Sequence, residues 1–184
     1  MSIFLISSLS LILTLLISSL ILWRINTRKY ISSKTVAKAY DSWTQDKLLE
    51  RLWGEHIHLG FYPLNKNIDF REAKVQFVHE LVSWSGLDKL PRGSRVLDVG
   101  CGIGGSSRIL ANYYGFNVTG ITISPVQVKR ATELTPYDCT CNFKVMDALD
   151  LKFEEGEFDG VWSVEAGAHT VSYTHLTLPT IYSV

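Results

Sequence analysis

Residues 96–105 read Val-Leu-Asp-Val-Gly-Cys-Gly-Ile-Gly-Gly. A short apolar run leads through a carboxylate into a cluster of glycines and then into a helical pattern. Strand, glycine turn and helix form the repeating unit of parallel α/β sheets, so this stretch constrains the fold more than any other. Glycine lets backbone amides come close to a ligand where a Cβ would block them. The helix behind the turn offers unpaired N–H groups and the positive end of its dipole. Asp98 stands two residues before Gly100. A carboxylate there suits a ligand bearing an ammonium or a sulfonium and suits a pyrophosphate badly. That chemistry points to S-adenosylmethionine (SAM). Asp98, Gly100, Cys101, Gly102, Gly104 and Gly105 are its first candidate contacts.

A second reading of the same glycines competes. Gly100, Gly102 and Gly105 also satisfy the G-x-G-x-x-G fingerprint of dinucleotide sites. That fingerprint expects an acid about 20 residues on, to hold a ribose. Here the second strand runs out through Gly120, Ile121, Thr122, Ile123 and Ser124, with no acid. The next acid, Glu133, falls within the following helical pattern. A glycine turn that binds nothing is the third possibility.

The N-terminus carries a separate signal. Residues 2–23 contain no charged side chain and are dominated by Leu and Ile, diluted by Ser and Thr. As a helix they would span about 33 Å, against a hydrocarbon core of about 30 Å. Arg24, Arg28, Lys29, Lys34 and Lys38 follow before the first acid, which places that flank on the cytoplasmic side or its organellar equivalent, such as the stroma. The expectation is one transmembrane anchor over 2–23. A cleaved signal peptide is the alternative, opposed by the missing basic n-region and cleavage pattern.

About 150 residues remain, enough for one domain. Eighteen basic residues balance eighteen acidic ones, and no basic tract lies beyond the membrane flank, so no nucleic-acid partner is expected. The three cysteines, Cys101, Cys139 and Cys141, fit neither a disulfide framework nor a metal site. Cys101 is assigned a packing role in the glycine turn.

Helix is expected over 34–53 with a break near 42–46. A loop or short strand follows over 56–62. A second helix is expected over 69–84, with Asp69 as N-cap and Gly86 as stop. Strand one is 95–99, helix 104–114, strand two 117–121. Ser124 and Pro125 then supply an N-cap and first turn for the next helix. Strand three is 142–146, an acidic loop covers 149–157, and strand four is 158–164. Alternation of this kind gives an α/β fold with a parallel sheet.

Further segments carry chemistry. Asp147 and Ala148 follow strand three at the sheet's carboxyl edge, where open α/β sheets bind ligands. Asp147 either accepts a hydrogen bond from an adenine amino group or caps whatever follows. After strand four, Glu165 and His169 would share a face if a helix begins there. Such a pair could orient or deprotonate a substrate hydroxyl, His169 being the first candidate base. The alternative is a helix-start carboxylate beside a solvent-facing His. Tyr40, Trp43 and Trp53 could form an aromatic lid or simply pack in a core. His56 and His58, two apart, would face opposite ways in a strand, and no metal site is expected.

The strings 96–110, 120–125 and 161–166 together resemble the tocopherol-pathway methyltransferases. Ala-Tyr-Asp-Ser-Trp at 39–43 and Trp-Gly-Glu-His-Ile-His-Leu-Gly at 53–60 add to the likeness. With the anchor, residues 1–170 resemble most the cyanobacterial methyltransferases that act on 2-methyl-6-phytylbenzoquinol (MPBQ). The gamma-tocopherol methyltransferases and cyclopropane fatty acid synthases are similar cousins. The resemblance implies a class I SAM-dependent methyltransferase Rossmann-like fold and C-methylation of a prenylated hydroquinone. It also implies that Thr122 and Ile123 take the place of the usual ribose-binding acid, with Gln127 among the cofactor contacts. Methylation or cyclopropanation of another lipid-like substrate remains open.

The pattern breaks at residue 171. Residues 171–184 contain no Asp, Glu, Lys or Arg and resemble translated adapter sequence more than a protein segment. The expectation is a chain truncated near Thr170. It would have about four strands of the family's seven and a non-native tail without a place in the fold, and would be aggregation-prone and inactive. The expected layout is an anchor over 2–23, a helical cap over 24–90, a SAM-binding half domain over 91–170 and the tail. A non-catalytic SAM-binding fragment is therefore a second reading.

Overall fold

The computed structural model describes residues 12–22, 33–64 and 67–167. The chain divides into two compact units, Met1–Ile31 and Ser32–Val184.

In the first unit, residues 12–22 form helix α1, whose Leu and Ile side chains are exposed. Among the described residues no helix is long and apolar enough to cross a membrane. The expected span is thus described only over its second half: residues 2–11 and 23 lie outside the described residues.

The second unit begins with α2 (Ser33–Gln45) and α3 (Leu48–Trp53), broken at Lys47, whose φ of 56° is left-handed. α4 (Phe70–Ser85) starts on Asp69, whose carboxylate accepts from the Arg71 amide, and ends on Gly86 at φ 73°. A 3-10 turn (Leu87–Lys89) leads into β1 (Arg95–Val99), α5 (Gly105–Asn112), β2 (Asn117–Thr122), α6 (Pro125–Leu134), β3 (Cys141–Val145) and β4 (Gly160–Trp162). The sheet is parallel throughout, in the order β3-β2-β1-β4. The expected parallel α/β sheet is present, with strand four beside strand one.

The pleat sorts the strands' residues onto two faces. Val96 and Val118 join Val78 and Val82 of α4 and Leu110 and Ala111 of α5 in one cluster, capped by Phe116 and Trp162. Phe143 packs with Cys101 and with Ala131 of α6. Leu97, Val99 and Ile121 point to the opposite face, where Met146, Phe153, Phe158 and Val161 cover them. Most of that cover comes from the chain between β3 and β4, not from a helix.

Several boundaries differ from expectation. α5 starts one residue late because Gly104, at φ 80°, is its cap and not its first turn. β4 is three residues, not seven. Asp159 already turns its carboxylate to the Arg95 amide at 2.7 Å, and beyond Trp162 the Ser163 hydroxyl, not a ladder amide, donates to the Val99 carbonyl at 3.2 Å. Glu165 then takes φ 52°, so no helix begins there and the expected helical pairing of Glu165 with His169 does not start at that residue. His169 and the 171–184 tail lie outside the described residues.

Candidate cofactor site

Asp98 sits inside the sheet, paired with Gly120 on one side and Trp162 on the other. It is 3% exposed and accepts a 2.5 Å hydrogen bond from the Ser107 hydroxyl. Burial pushes its carboxyl up to about 6, and the Ser107 bond pulls only partly the other way. A carboxylate removed from water in this way attracts any cation delivered to it.

The glycine turn then separates into parts with different duties. The amides of Gly100 and Cys101 both donate to the Ile121 carbonyl, at 2.9 and 3.0 Å, which ties the turn to β2. Gly104 donates back to Cys101 at 2.9 Å. A Cβ on Gly104 would meet the Phe143 ring at 2.6 Å, and one on Gly105 would meet the Glu55 carbonyl oxygen at 2.6 Å. These glycines serve close packing within the protein. Gly102 differs: its φ is 55° and no atom of the other described residues, its chain neighbours apart, lies within 4 Å of where its Cβ would stand. That side of the turn is left open by the described residues. The Cys101 thiol is buried, and burial followed by the Asp98 charge pushes its pKa well up, which keeps it inert.

At the end of β2, Thr122 donates from its hydroxyl to the Gln127 side-chain oxygen at 2.7 Å, and both are buried. Ser124 caps α6 by accepting from the Gln127 amide at 3.0 Å. Ile123 is half-buried and is the reachable member of the group. Asp147 accepts from the Leu149 amide at 3.0 Å in a local turn with no helix behind it, and Ala148 packs against the Leu97 and Ile121 cluster.

The chain before the glycine turn is fastened over it, which sequence reasoning missed. The Asp41 carboxylate accepts from the Ser124 hydroxyl at 2.5 Å. Glu50 receives Arg130 at 2.6 and 2.8 Å, which holds the Glu50 carboxyl below its usual range. Glu55 receives the buried Arg108 at 2.5 Å. Lys74, 5% exposed, donates to the carbonyls of Trp53 at 3.0 Å and His56 at 2.7 Å. The signal was a lysine placed between Ala73 and Val78 on the buried face of α4.

His56 and His58 lie in coil, and their rings meet: His58 Nε2 is 3.2 Å from His56 Nδ1. The expectation that they face apart is corrected: residues two apart share one face of a strand, and here both lie in coil with their rings in contact. The next residue, Leu59, donates its amide to Glu165 at 3.1 Å. Tyr40 and Trp43 pack edge to face with ring centres 5.5 Å apart, while Trp53 lies under the Lys74 ammonium at 5.4 Å. The aromatic candidates therefore form two separate groups. Among the described residues no cluster fit for a metal occurs.

A family described as methyltransferase domain matches residues 96–184. The chain is 63% identical over 151 residues to the 2-methyl-6-phytyl-1,4-hydroquinone methyltransferase of Synechocystis sp., covering 80% of this chain and 47% of that protein. It is 40% identical to the chloroplastic tocopherol O-methyltransferase of Arabidopsis thaliana, covering 74% and 42%. The chain spans about half the length of these curated relatives. Among solved structures, geranyl diphosphate C-methyltransferase from Streptomyces coelicolor superposes with a TM-score of 0.63 at 20% identity, covering 81% of this chain and 61% of that one, a likeness of fold. The resemblance read from the motifs is found again in these relatives, and the architecture is the class I SAM methyltransferase α/β fold, with four parallel strands among the described residues.

Proposed function

From its likeness to the tocopherol-pathway methyltransferases, we propose that this chain is the cofactor-binding part of a SAM-dependent methyltransferase that C-methylates a prenylated hydroquinone. The observation that carries this reading is the buried Asp98 carboxylate at the end of β1, followed by a glycine turn that is pinned to Ile121 and open at Gly102 among the described residues. Asp98 and Gly102 would hold the methionine end of SAM, with Ile123, Asp147 and Ala148 toward the nucleoside. Cys101, Gly100, Gly104, Gly105, Thr122 and Gln127 shape the turn around them. When bound, SAM supplies a methyl group on a sulfonium, already a strong electrophile. The protein's part is alignment, exclusion of water and acceptance of a proton. The segment bearing Glu50 and Glu55, clasped by Arg130 and Arg108, excludes water. His169 and Glu165 are proposed to orient the substrate hydroxyl.

Residues 2–23 are proposed as a single-pass anchor, with residues 24–170 on the cytoplasmic or stromal side. The uncharged 22-residue stretch and its basic flank support this reading. An anchored enzyme would take the ring of a prenylated substrate into the site while its tail stays in lipid. Calorimetric titration with SAM, followed by transfer of labelled methyl to a prenylated hydroquinone, tests the proposal. Binding with transfer supports it. Binding without transfer supports a non-catalytic SAM-binding fragment, and NAD binding in place of SAM overturns both.

A further inference from the structure

We propose that His56 and His58 form a two-imidazole proton relay at the reacting edge of the sheet, with His56 Nε2 the atom that takes a proton from the substrate hydroxyl. This inference rests on the methyltransferase reading above and adds a proton path to it.

The hydrogen bonds assign the protons. His58 Nδ1 lies 2.7 Å from the Leu59 carbonyl, which can only accept, so Nδ1 of His58 carries the hydrogen. In a neutral ring that leaves His58 Nε2 with a lone pair. His56 Nδ1, 3.2 Å away, must therefore be the donor between the rings. The remaining nitrogen, His56 Nε2, is then a lone-pair acceptor, and no described residue donates to it. Both rings are kept neutral by their surroundings. Burial, then His58, Arg108 and Lys74, bring His56 down to about 4. Burial also lowers His58, opposed by the Leu59 carbonyl and the Glu165 carboxylate. Glu55 faces the same region but is engaged with Arg108.

The placement fits the chemistry. The His56 ring lies against Gly105, the first residue of α5, at 2.9 Å from where a Cβ would stand. Leu59, three residues on, is tied to Glu165 after β4. The pair thus lies across the carboxyl edge of the sheet, between the glycine turn and the end of β4, where open α/β sheets hold their ligands. As a ring carbon gains a methyl group, the adjoining hydroxyl becomes that of a protonated ketone and is strongly acidic, so a weak base suffices. The substrate O–H proton passes to His56 Nε2, and the His56 Nδ1 proton passes to His58 Nε2. The cation then rests on His58, beside Glu165. Return of one proton to oxygen as the ring C–H proton leaves restores the aromatic ring, for a net release of one proton. Glu165 acts here as a positioning residue.

Nitrogen-15 NMR of the histidine-labelled full chain tests the arrangement without turnover. The expected result is an Nδ1–H tautomer for both rings at pH 7, with His56 neutral down to about pH 4. An Nε2–H tautomer at either ring, or a His56 that is charged at pH 6, overturns the relay. In the full chain, His56→Gln keeps an N–H donor toward His58 but removes the base. It is expected to lower kcat about 100-fold, in the range for a lost general base. SAM affinity should stay within about twofold, and kcat should lose the acid limb that the wild type shows as pH falls towards about 4. A kcat within about threefold of wild type, or a loss of SAM affinity in step with kcat, overturns the relay alone. Failure of the wild-type protein to bind SAM overturns the methyltransferase reading and the relay together.

Discussion

Asp98 shows how a single residue can oppose the stability of its own fold. Its carboxyl is raised from an ordinary 3.8 to about 6, so the folded chain holds a proton that the unfolded chain has already released. Stability should therefore fall as pH rises from about 4 to 6 and stay lowered above that, by a cost on the order of 3 kcal/mol. Asp98→Asn, which keeps an oxygen for Ser107, should melt higher than wild type at pH 7.5 and lose that advantage below pH 4. The same variant should lose SAM affinity, and wild-type affinity should weaken as pH drops from 7 to 5 while the variant shows no such slope. Thermal melts and calorimetry across that range check both. Gly102→Val offers the complementary case. Its side chain enters open space, so the fold should survive with a backbone penalty of about 1–2 kcal/mol at the left-handed φ. SAM binding should disappear, and a circular dichroism spectrum beside a binding isotherm separates the two effects.

At the level of elements, local signals were readable and distant ones were not. Asp69, Gly86 and Ser124 mark the ends of α4 and the start of α6 because caps depend on a few neighbouring atoms. β4 was overestimated because its apolar run continues past Trp162, where the Ser163 hydroxyl takes the place of a ladder amide on the Val99 carbonyl. The fastening of α2, α3 and the 54–60 segment left no periodic trace, since three of its links join residues 53 to 83 positions apart. Lys74 is the most exacting of these links, with two backbone carbonyls depending on one buried ammonium. Lys74→Met should leave those carbonyls unpaired, costing about 1–3 kcal/mol. Amide exchange should accelerate across 53–60 and remain slow in β1 and β2. Uniform acceleration in all elements would show that Lys74 supports the whole fold and not this segment.

At the level of the molecule, the glycine turn and the alternating pattern identified the sheet and its parallel direction. The His56–His58 contact escaped because it depends on a coil path that no period describes. The division into Met1–Ile31 and Ser32–Val184 supplies a further expectation. The full chain should co-sediment with lipid vesicles. Deleting residues 1–31 should release it into the supernatant with its SAM affinity intact. Release accompanied by loss of binding would mean that the first unit supports the fold of the second.

The clasps between Asp41 and Ser124, Glu50 and Arg130, and Glu55 and Arg108 also impose a calendar on biosynthesis. The ribosome delivers the three acids long before their partners. Trp43 and Trp53 travel with them, and both stay partly exposed even when the chain is complete. Until residue 130 has left the exit tunnel the covering segment has nothing to grip, and its aromatic side chains are a target for chaperones. The covering segment is thus made early and can be seated only after α5 and α6 have emerged.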